Sequence, residues 1–238
     1  MRSRSRRDVK RRQRQRLLFW LAVVALIGAA IWWLTRTTAG DWHPSTLRYP
    51  RQGIDVSHYQ GAIRWSRLPD AGVDFAYIKA TEGGDYTDPT FAANWAGARA
   101  VGVERGAYHF FNRCRPGAEQ AANFIHAVPR DRDALPPAID LEYLGNCDKP
   151  VPVAIFQREL GVFIRLVERR YRQPVLLYLT DEFDRTYQVS AHFDRPLWLR
   201  SILAEPRFGA RPWTLWQASS FRRVPGISGR VDWNVARP

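Results

Sequence analysis

The chain has 238 residues, 45% of them apolar, with ten Trp, nine Tyr and twelve Phe. That length suits one domain of about 200 residues plus a tail, and that composition excludes a mainly disordered chain. The net charge of +13 is uneven: residues 1–16 hold nine Arg or Lys and one Asp, whereas from Asp41 onward 26 basic residues face 22 acidic ones, so no nucleic-acid partner is expected.

Residues 1–16 read as a basic cytoplasmic tail. Leu17 to Leu34 follow as 18 uncharged, almost wholly apolar residues. At helical rise they span about 27 Å, close to the hydrocarbon thickness of a bilayer. Trp20 lies near one end, Trp32 and Trp33 near the other, where interfacial aromatics belong. A retained transmembrane anchor in the cytoplasmic membrane is expected. The preceding basic block keeps the N-terminus inside and places the rest outside, in the periplasm or at the cell exterior. A cleaved signal peptide is the alternative, but the run is long for one and TRTTAGDW offers no clear cleavage site. Residues 35–50 read as a linker.

Beyond it, strand-like and helix-like segments alternate. Strands are expected at 53–57, 75–81, 105–111, 137–142, 174–180, 196–201, 213–218 and 230–234. Asp88-Pro89 reads as a helix start, with Phe91, Trp95 and Ala98 on one face and Gly102 as the stop. A second helix is expected over 117–128. The longest covers 151–171, with Val153, Phe156, Leu160, Phe163, Ile164, Val167 and Tyr171 as its apolar stripe. Residues 181–195 are short and polar, and 219–229 read as loop. Alternation of this kind predicts a parallel sheet with right-handed crossovers. Eight strands with weak helices in the last third predict an irregular α/β barrel.

Within PPAIDLEY, Asp140 and Glu142 are two residues apart, so on a strand both point to one face, with Ile139 and Leu141 on the other. Paired carboxylates are costly to bury unless a site uses them. Burial and like charge both raise a carboxyl pKa, and a proton held near neutrality suits a general acid. Solvated acids at a strand end are the alternative. Asp55 in GIDVS and Asp232 in RVDWN stand near the ends of strands one and eight, where the rim of a barrel assembles its active site. Taken singly, Asp55 could instead cap a turn and Asp232 could be an ordinary turn acid. Tyr59, Tyr108, Phe110, Tyr178, Trp198, Trp216 and Trp233 are placed near the same rim; such rings usually belong to a core, and flat rings also stack on sugars. Lys79 and Glu82 are expected to pair with each other or with the rim acids. His58, His109, His126 and His192 lack metal-ligand spacing and read as structural, so a metal site is not expected from them.

GIDVSHYQG (53–61), FAYIKATEG (75–83), DPTFAANWAGARAVGVERGAYHFF (88–111), QAANF (120–124), PAIDLE (137–142), LWQAS (215–219) and GISGRVDWN (226–234) occur in one order. Together they resemble the glycoside hydrolase family 25 lysozymes, the Chalaropsis-type N-acetylmuramidases. The likeness covers nearly all of residues 51–238. It implies a modified barrel of five strand–helix units and three further strands, about five helices in all. It implies hydrolysis of the β-1,4 bond after N-acetylmuramic acid in the glycan strands of peptidoglycan. Glu142 would be the acid on the leaving oxygen. Asp140 would stabilise the charge developing on the sugar or its acetamido group, and Asp55 and Asp232 match the remaining site acids. The resemblance implies no metal or cofactor. Substrate contacts are expected from Tyr108, Tyr178, Trp198, Gln217, Lys79, Glu82 and Arg200. A carboxylate nucleophile needs the two carboxyls about 5–5.5 Å apart; in the substrate-assisted alternative the N-acetyl oxygen attacks.

Two departures bear on substrate contacts. LWLRSI (197–202) stands where relatives read more like LWIAHY, which makes Arg200 a candidate partner of lactyl or peptide-stem carboxylates. Ala218 stands where Tyr is usual. In such a barrel the loops after strands three and four are neighbours, so Cys114 and Cys147 are expected to bridge in an oxidising compartment, with two separate buried thiols as the alternative. A non-catalytic glycan-binding module and a hydrolase of another N-acetylated glycan remain the competing functions.

Overall fold

The computed structural model describes residues 6–238, without the side chains of 6–12, 31 and 34–39. Residues 1–5 of the expected basic tail lie outside the described residues. The chain divides into two compact units, Met1–Asp41 and Trp42–Pro238. Among its described residues the first holds one continuous helix, α1 (Arg6–Ala39), which contains the apolar run. Leu17, Phe19, Trp20, Leu26, Trp32 and Trp33 each expose more than half of their surface. Among the described residues no helix is long and apolar enough to cross a membrane; Ile31 and Leu34, which complete the run, fall outside the described side chains.

In the second unit the chain is ordered ahead of its first strand. Tyr49 is buried, Trp42 packs on the outer core, and Gln52 Nε2 donates to the carbonyls of Pro44 and Tyr49. The domain thus begins near residue 42, inside the stretch read as a linker.

All eight expected strands are present: β1 (Gln52–Val56), β2 (Phe75–Glu82), β4 (Glu104–Phe110), β5 (Ala138–Leu141), β6 (Leu176–Thr180), β7 (Leu197–Arg200), β8 (Leu215–Arg222) and β9 (Val231–Ala236). A ninth, β3 (Tyr86–Thr87), is a short hairpin partner of β2. The order β1-β9-β8-β7-β6-β5-β4-β2 closes through pairing of β1 with β2. The sheet is not wholly parallel, as alternation had suggested: β9 runs antiparallel to both β1 and β8. Only residues 223–230 separate β8 from β9. A parallel return needs a dozen or more residues, so the chain turns straight back. β8 also continues, irregularly, to Arg222, into the stretch read as loop.

The three longer helices form as expected: α2 (Phe91–Ala100), α3 (Gly117–Ala127) and α4 (Val153–Tyr171). Gly102, at a φ of 74°, ends the turn after α2. On α4, Phe156, Leu160, Phe163, Ile164 and Val167 are buried, whereas Val153, in the first turn, is exposed. The polar stretch 181–195 holds two short helices, α5 (Asp181–Tyr187) and α6 (Val189–His192). No α-helix joins β1 to β2; 3-10 turns at His58–Gln60, Trp65–Arg67 and Pro69–Ala71 do so.

Strand alternation sorts side chains into two cores. The outer core, between barrel and helices, takes Ile54, Ile78, Ile139, Leu141, Leu177, Trp216 and Trp233 with the α2–α4 stripes. The inner core takes Phe75, Tyr77, Ala138, Leu176, Tyr178, Trp198 and Leu215. Bulky rings fill so narrow a barrel only where facing residues are small. A Cβ on Gly106 would overlap the Tyr77 ring, and one on Gly53 would overlap Phe75. Tyr77 in turn packs on Trp198, their ring centres 5.0 Å apart.

Candidate active site

A cavity of about 410 Å³ opens at one end of the barrel. Asp55, Asp140, Glu142 and Asp232 all line it, with Lys79, Glu82, Tyr108, Phe110, Tyr178, Trp198 and Gln217. Asp140 lies on β5 and Glu142 is the first residue beyond it. Asp55 pairs in register with Asp232. Asp232 is at the start of β9, not the end of a parallel strand, and the reversal of that strand brings it to the rim. Asp55 caps no turn; Ser57 caps the one that follows, in a capping box with Gln60.

Asp55 Oδ2 is the meeting point of two relays. Tyr178 Oη donates to Gln217 Oε1 at 3.0 Å, and Gln217 Nε2 donates to Asp55 at 3.1 Å. Trp198 Nε1 donates to Asn234 Oδ1 at 2.8 Å, and Asn234 Nδ2 donates to Asp55 at 2.8 Å. Each amide is oriented by its ring donor, so Asp55 is held from two strands at once. Asp140 Oδ1, by contrast, is buried and finds no partner among the described residues.

Burial raises all four carboxyl pKa values. The Asp55 carboxyl rises to about 6, opposed by its two amide donors. Glu142 rises to about 7, with Arg200 opposing, and Asp232 rises to about 8 with help from Asp55. Asp140 is pushed well up by burial and then by Glu142. Like charges in one cavity cannot all ionise, so the cluster holds shared protons near neutral pH. The phenols of Tyr108 and Tyr178 are raised too, first by burial and then by these acids, and stay neutral donors.

Lys79 Nζ meets Glu82 Oε2 at 2.7 Å. Residues three apart would face opposite ways on a regular strand; a register shift between Lys79 and Thr81 turns both to the cavity. Arg200 is not in this cavity. It lines an adjoining one of about 650 Å³ that shares Glu142, Tyr178, Gln217 and Asp232 and adds Asp181 and Arg185. There it stands exposed in register between Thr180 and Gln217.

Two rings expected at the rim are elsewhere. Trp216 and Trp233 point into the outer core, with their Nε1 groups donating to Ser201 O and Gln52 Oε1. Tyr59 lines the cavity and is 80% exposed. Ala218, where an aromatic was expected from the resemblance, is fully buried on the outer side. Asn234, Ser57, Gln60, Leu144 and Gly145 belong to the site or its support and were not singled out. Asn234 was legible in principle, since V-D-W-N places it on the face of Asp232.

His58 Nδ1 meets Asp88 Oδ2 at 2.9 Å. His109 lies between Thr81 and Gln120, stacked on Phe163, and burial lowers its pKa to about 3. Among the described residues no group of three or more His, Cys, Asp or Glu could hold a metal ion. Cys114 and Cys147 form a disulfide across the loops after β4 and β5, with Cα atoms 6.2 Å apart.

Residues 54–227 match the family described as glycosyl hydrolases family 25. Lysozyme M1 of Streptomyces globisporus is 37% identical over 198 residues, 77% of this chain and 66% of that protein. The N,O-diacetylmuramidase of a Chalaropsis species is 39% identical over 127 residues, 50% of this chain and 59% of that one. This chain therefore spans less than two thirds of the length of either. A family 25 glycosyl hydrolase from Bacillus anthracis superposes with a TM-score of 0.78 at 37% identity, covering 84% of this chain and 93% of that one. With the barrel, the acid cluster and these likenesses in agreement, the chain belongs to glycosyl hydrolases family 25.

Proposed function

We propose that this chain hydrolyses peptidoglycan at the β-1,4 bond between N-acetylmuramic acid and N-acetylglucosamine. The observation that carries the reading is the pair at the end of β5. Glu142 keeps its proton to about pH 7, and Asp140 presents, in the same cavity, a buried oxygen without a partner among the described residues. Glu142 donates its proton to the glycosidic oxygen as the bond to the anomeric carbon breaks. The substrate's acetamido oxygen closes on that carbon, and Asp140 accepts from the acetamido N–H and offsets its growing positive charge. Glu142, now ionised, takes a proton from the water that opens the ring. Asp55 adds negative charge to the site, Asp232 holds one of the shared protons beside it, and the exposed ring of Tyr59 and the side chains of Tyr108, Lys79 and Glu82 bound the sugar site. Arg200, in the adjoining cavity, contacts a carboxylate of the lactyl group or peptide stem; unchanged affinity of Arg200→Ala for muropeptides would remove it from this role.

The deciding experiment is release of reducing ends from purified peptidoglycan by the parent and by Glu142→Gln. New muramic acid ends from the parent alone support the reading. Ends of another N-acetylated sugar would redirect it to another glycan, and binding without release would make the domain a glycan-binding module.

Residues 17–34 are proposed to anchor the chain in the cytoplasmic membrane, with the catalytic domain outside. Support comes from the uninterrupted apolar run, the basic flank before it and the exposed rings at both of its ends. The disulfide accords with an oxidising compartment. Release of the chain from membranes by alkaline carbonate would count against an anchor, and resistance of the domain to external protease in spheroplasts would count against this orientation.

A further inference from the structure

Glu142 stands past the last residue of β5, at the start of a turn. Gly145 takes a left-handed φ of 78°, and Asn146 N donates to Tyr143 O at 3.0 Å. The side chain of Asn146 then uses both ends of its amide. Nδ2 donates to Glu142 O at 3.1 Å and to Phe111 O at 2.8 Å. Oδ1 accepts from Arg113 N and from Cys147 N, each at 2.9 Å. A single amide thus ties the backbone of Glu142 to the residues that follow β4.

Two other ties brace the same turn without touching Glu142. The Cys114–Cys147 disulfide joins the two loops. The Arg113 guanidinium bonds Cys147 O and Tyr187 Oη and lies 4.7 Å from the centre of the Tyr143 ring. These hold the loop as a whole, whereas Asn146 alone among these three bonds the backbone of Glu142.

We infer that Asn146 is a positioning residue for Glu142: by bonding its carbonyl oxygen it fixes where the carboxyl stands in the cavity. The inference rests on Glu142 being the general acid. Loss of the bond lets the acid swing toward water, away from the glycosidic oxygen. A displacement of about 1 Å at a reacting group costs about 100-fold in rate. The charged groups around Glu142 are not bonded by the Asn146 side chain: Asp55 on β1, Lys79 on β2, Asp140 on β5, Arg200 on β7, Asp232 on β9 and, across the adjoining cavity, Asp181, Glu182 and Arg185 on α5. A change in the titration of Glu142 therefore reports its own movement.

The test compares the full-length parent with Asn146→Ala, Asn146→Asp and a Cys114→Ser/Cys147→Ser pair on soluble strands of alternating N-acetylglucosamine and N-acetylmuramic acid. Asn146→Ala is expected to lower kcat by about 10- to 100-fold with little change in KM. Its alkaline limb should move to lower pH as Glu142 gains water. The cysteine pair should lower Tm yet keep the parental kcat and limb. Asn146→Asp keeps the two acceptor bonds and loses both donations, so it serves if the alanine variant does not fold. Its added charge pushes the limb the other way, so kcat, expected to fall, is its readout. A parental kcat and limb in folded Asn146→Ala, or an equal limb shift in the cysteine pair, overturns the inference. Should Glu142→Gln itself retain activity, the reading of Glu142 fails instead, which keeps the two failures apart.

Discussion

Glu142 carries the clearest consequences at the scale of a residue. Its folded pKa of about 7 lies above the ordinary glutamate value of 4.5, so folding takes up a proton between those pH values. The stability contributed by the protonated group is complete below the lower value and is lost as pH rises through the upper one. Glu142→Gln should therefore match the parent near pH 4 and be more stable above pH 7, by about 1–3 kcal/mol. Urea unfolding at both pH values measures this; equal effects at the two would mean the carboxyl is not held up by burial. The same proton sets activity, because the acid must be loaded. The kcat/KM of the parent is expected to fall as pH rises through about 7, and Glu142→Gln to lose about 10²–10⁴-fold in kcat. The four acids were legible as residues, because carboxylates in apolar strand segments stand out. Trp216 and Trp233 were misplaced because side-chain direction has a period of two, and a reading off by one residue exchanges barrel interior for exterior.

Among the elements, β2 and β4 show how small residues admit large ones. Gly106 on β4 leaves room for the Tyr77 ring, whose hydroxyl donates to Pro136 O at 3.1 Å. Gly106→Ala should destabilise the fold by about 1–3 kcal/mol through overpacking. A lower denaturation midpoint with an unchanged slope would confirm it; a midpoint equal to that of the parent would show that the ring can move aside. The strands and the longer helices were readable because each carries its own periodicity. Less readable were β3, which is only Tyr86–Thr87, the bulge at Lys79/Thr81 and the 3-10 turns after β1. Each is set by partners across the sheet or by packing, not by a repeating local pattern.

For the molecule as a whole, closure depends on the pairing of β1 with β2 and with β9, near the two ends of the domain. The Cys114–Cys147 bridge spans 33 residues and ties two of the rim loops. On loop-closure grounds its reduction should cost about 3–4 kcal/mol, read as a lower Tm in the presence of a reductant. No change in Tm would mean that the loops are held by their hydrogen bonds alone.

The sequence by itself determined the eight strands, the longer helices, the four acids as candidates and, through the order of its motifs, the family. Such features are local, and period, composition and spacing record them. Only the tertiary structure decided the direction of β9, which carries Asp232 to the rim from the start of a strand. It also decided the relays that converge on Asp55, the placement of Arg200 in an adjoining cavity and the bond from Asn146 to Glu142. The relays join residues as much as 179 positions apart in the chain. Local periodicity holds no record of which strand lies beside which, or of the register between them, and contacts of that span exist only once the barrel has closed.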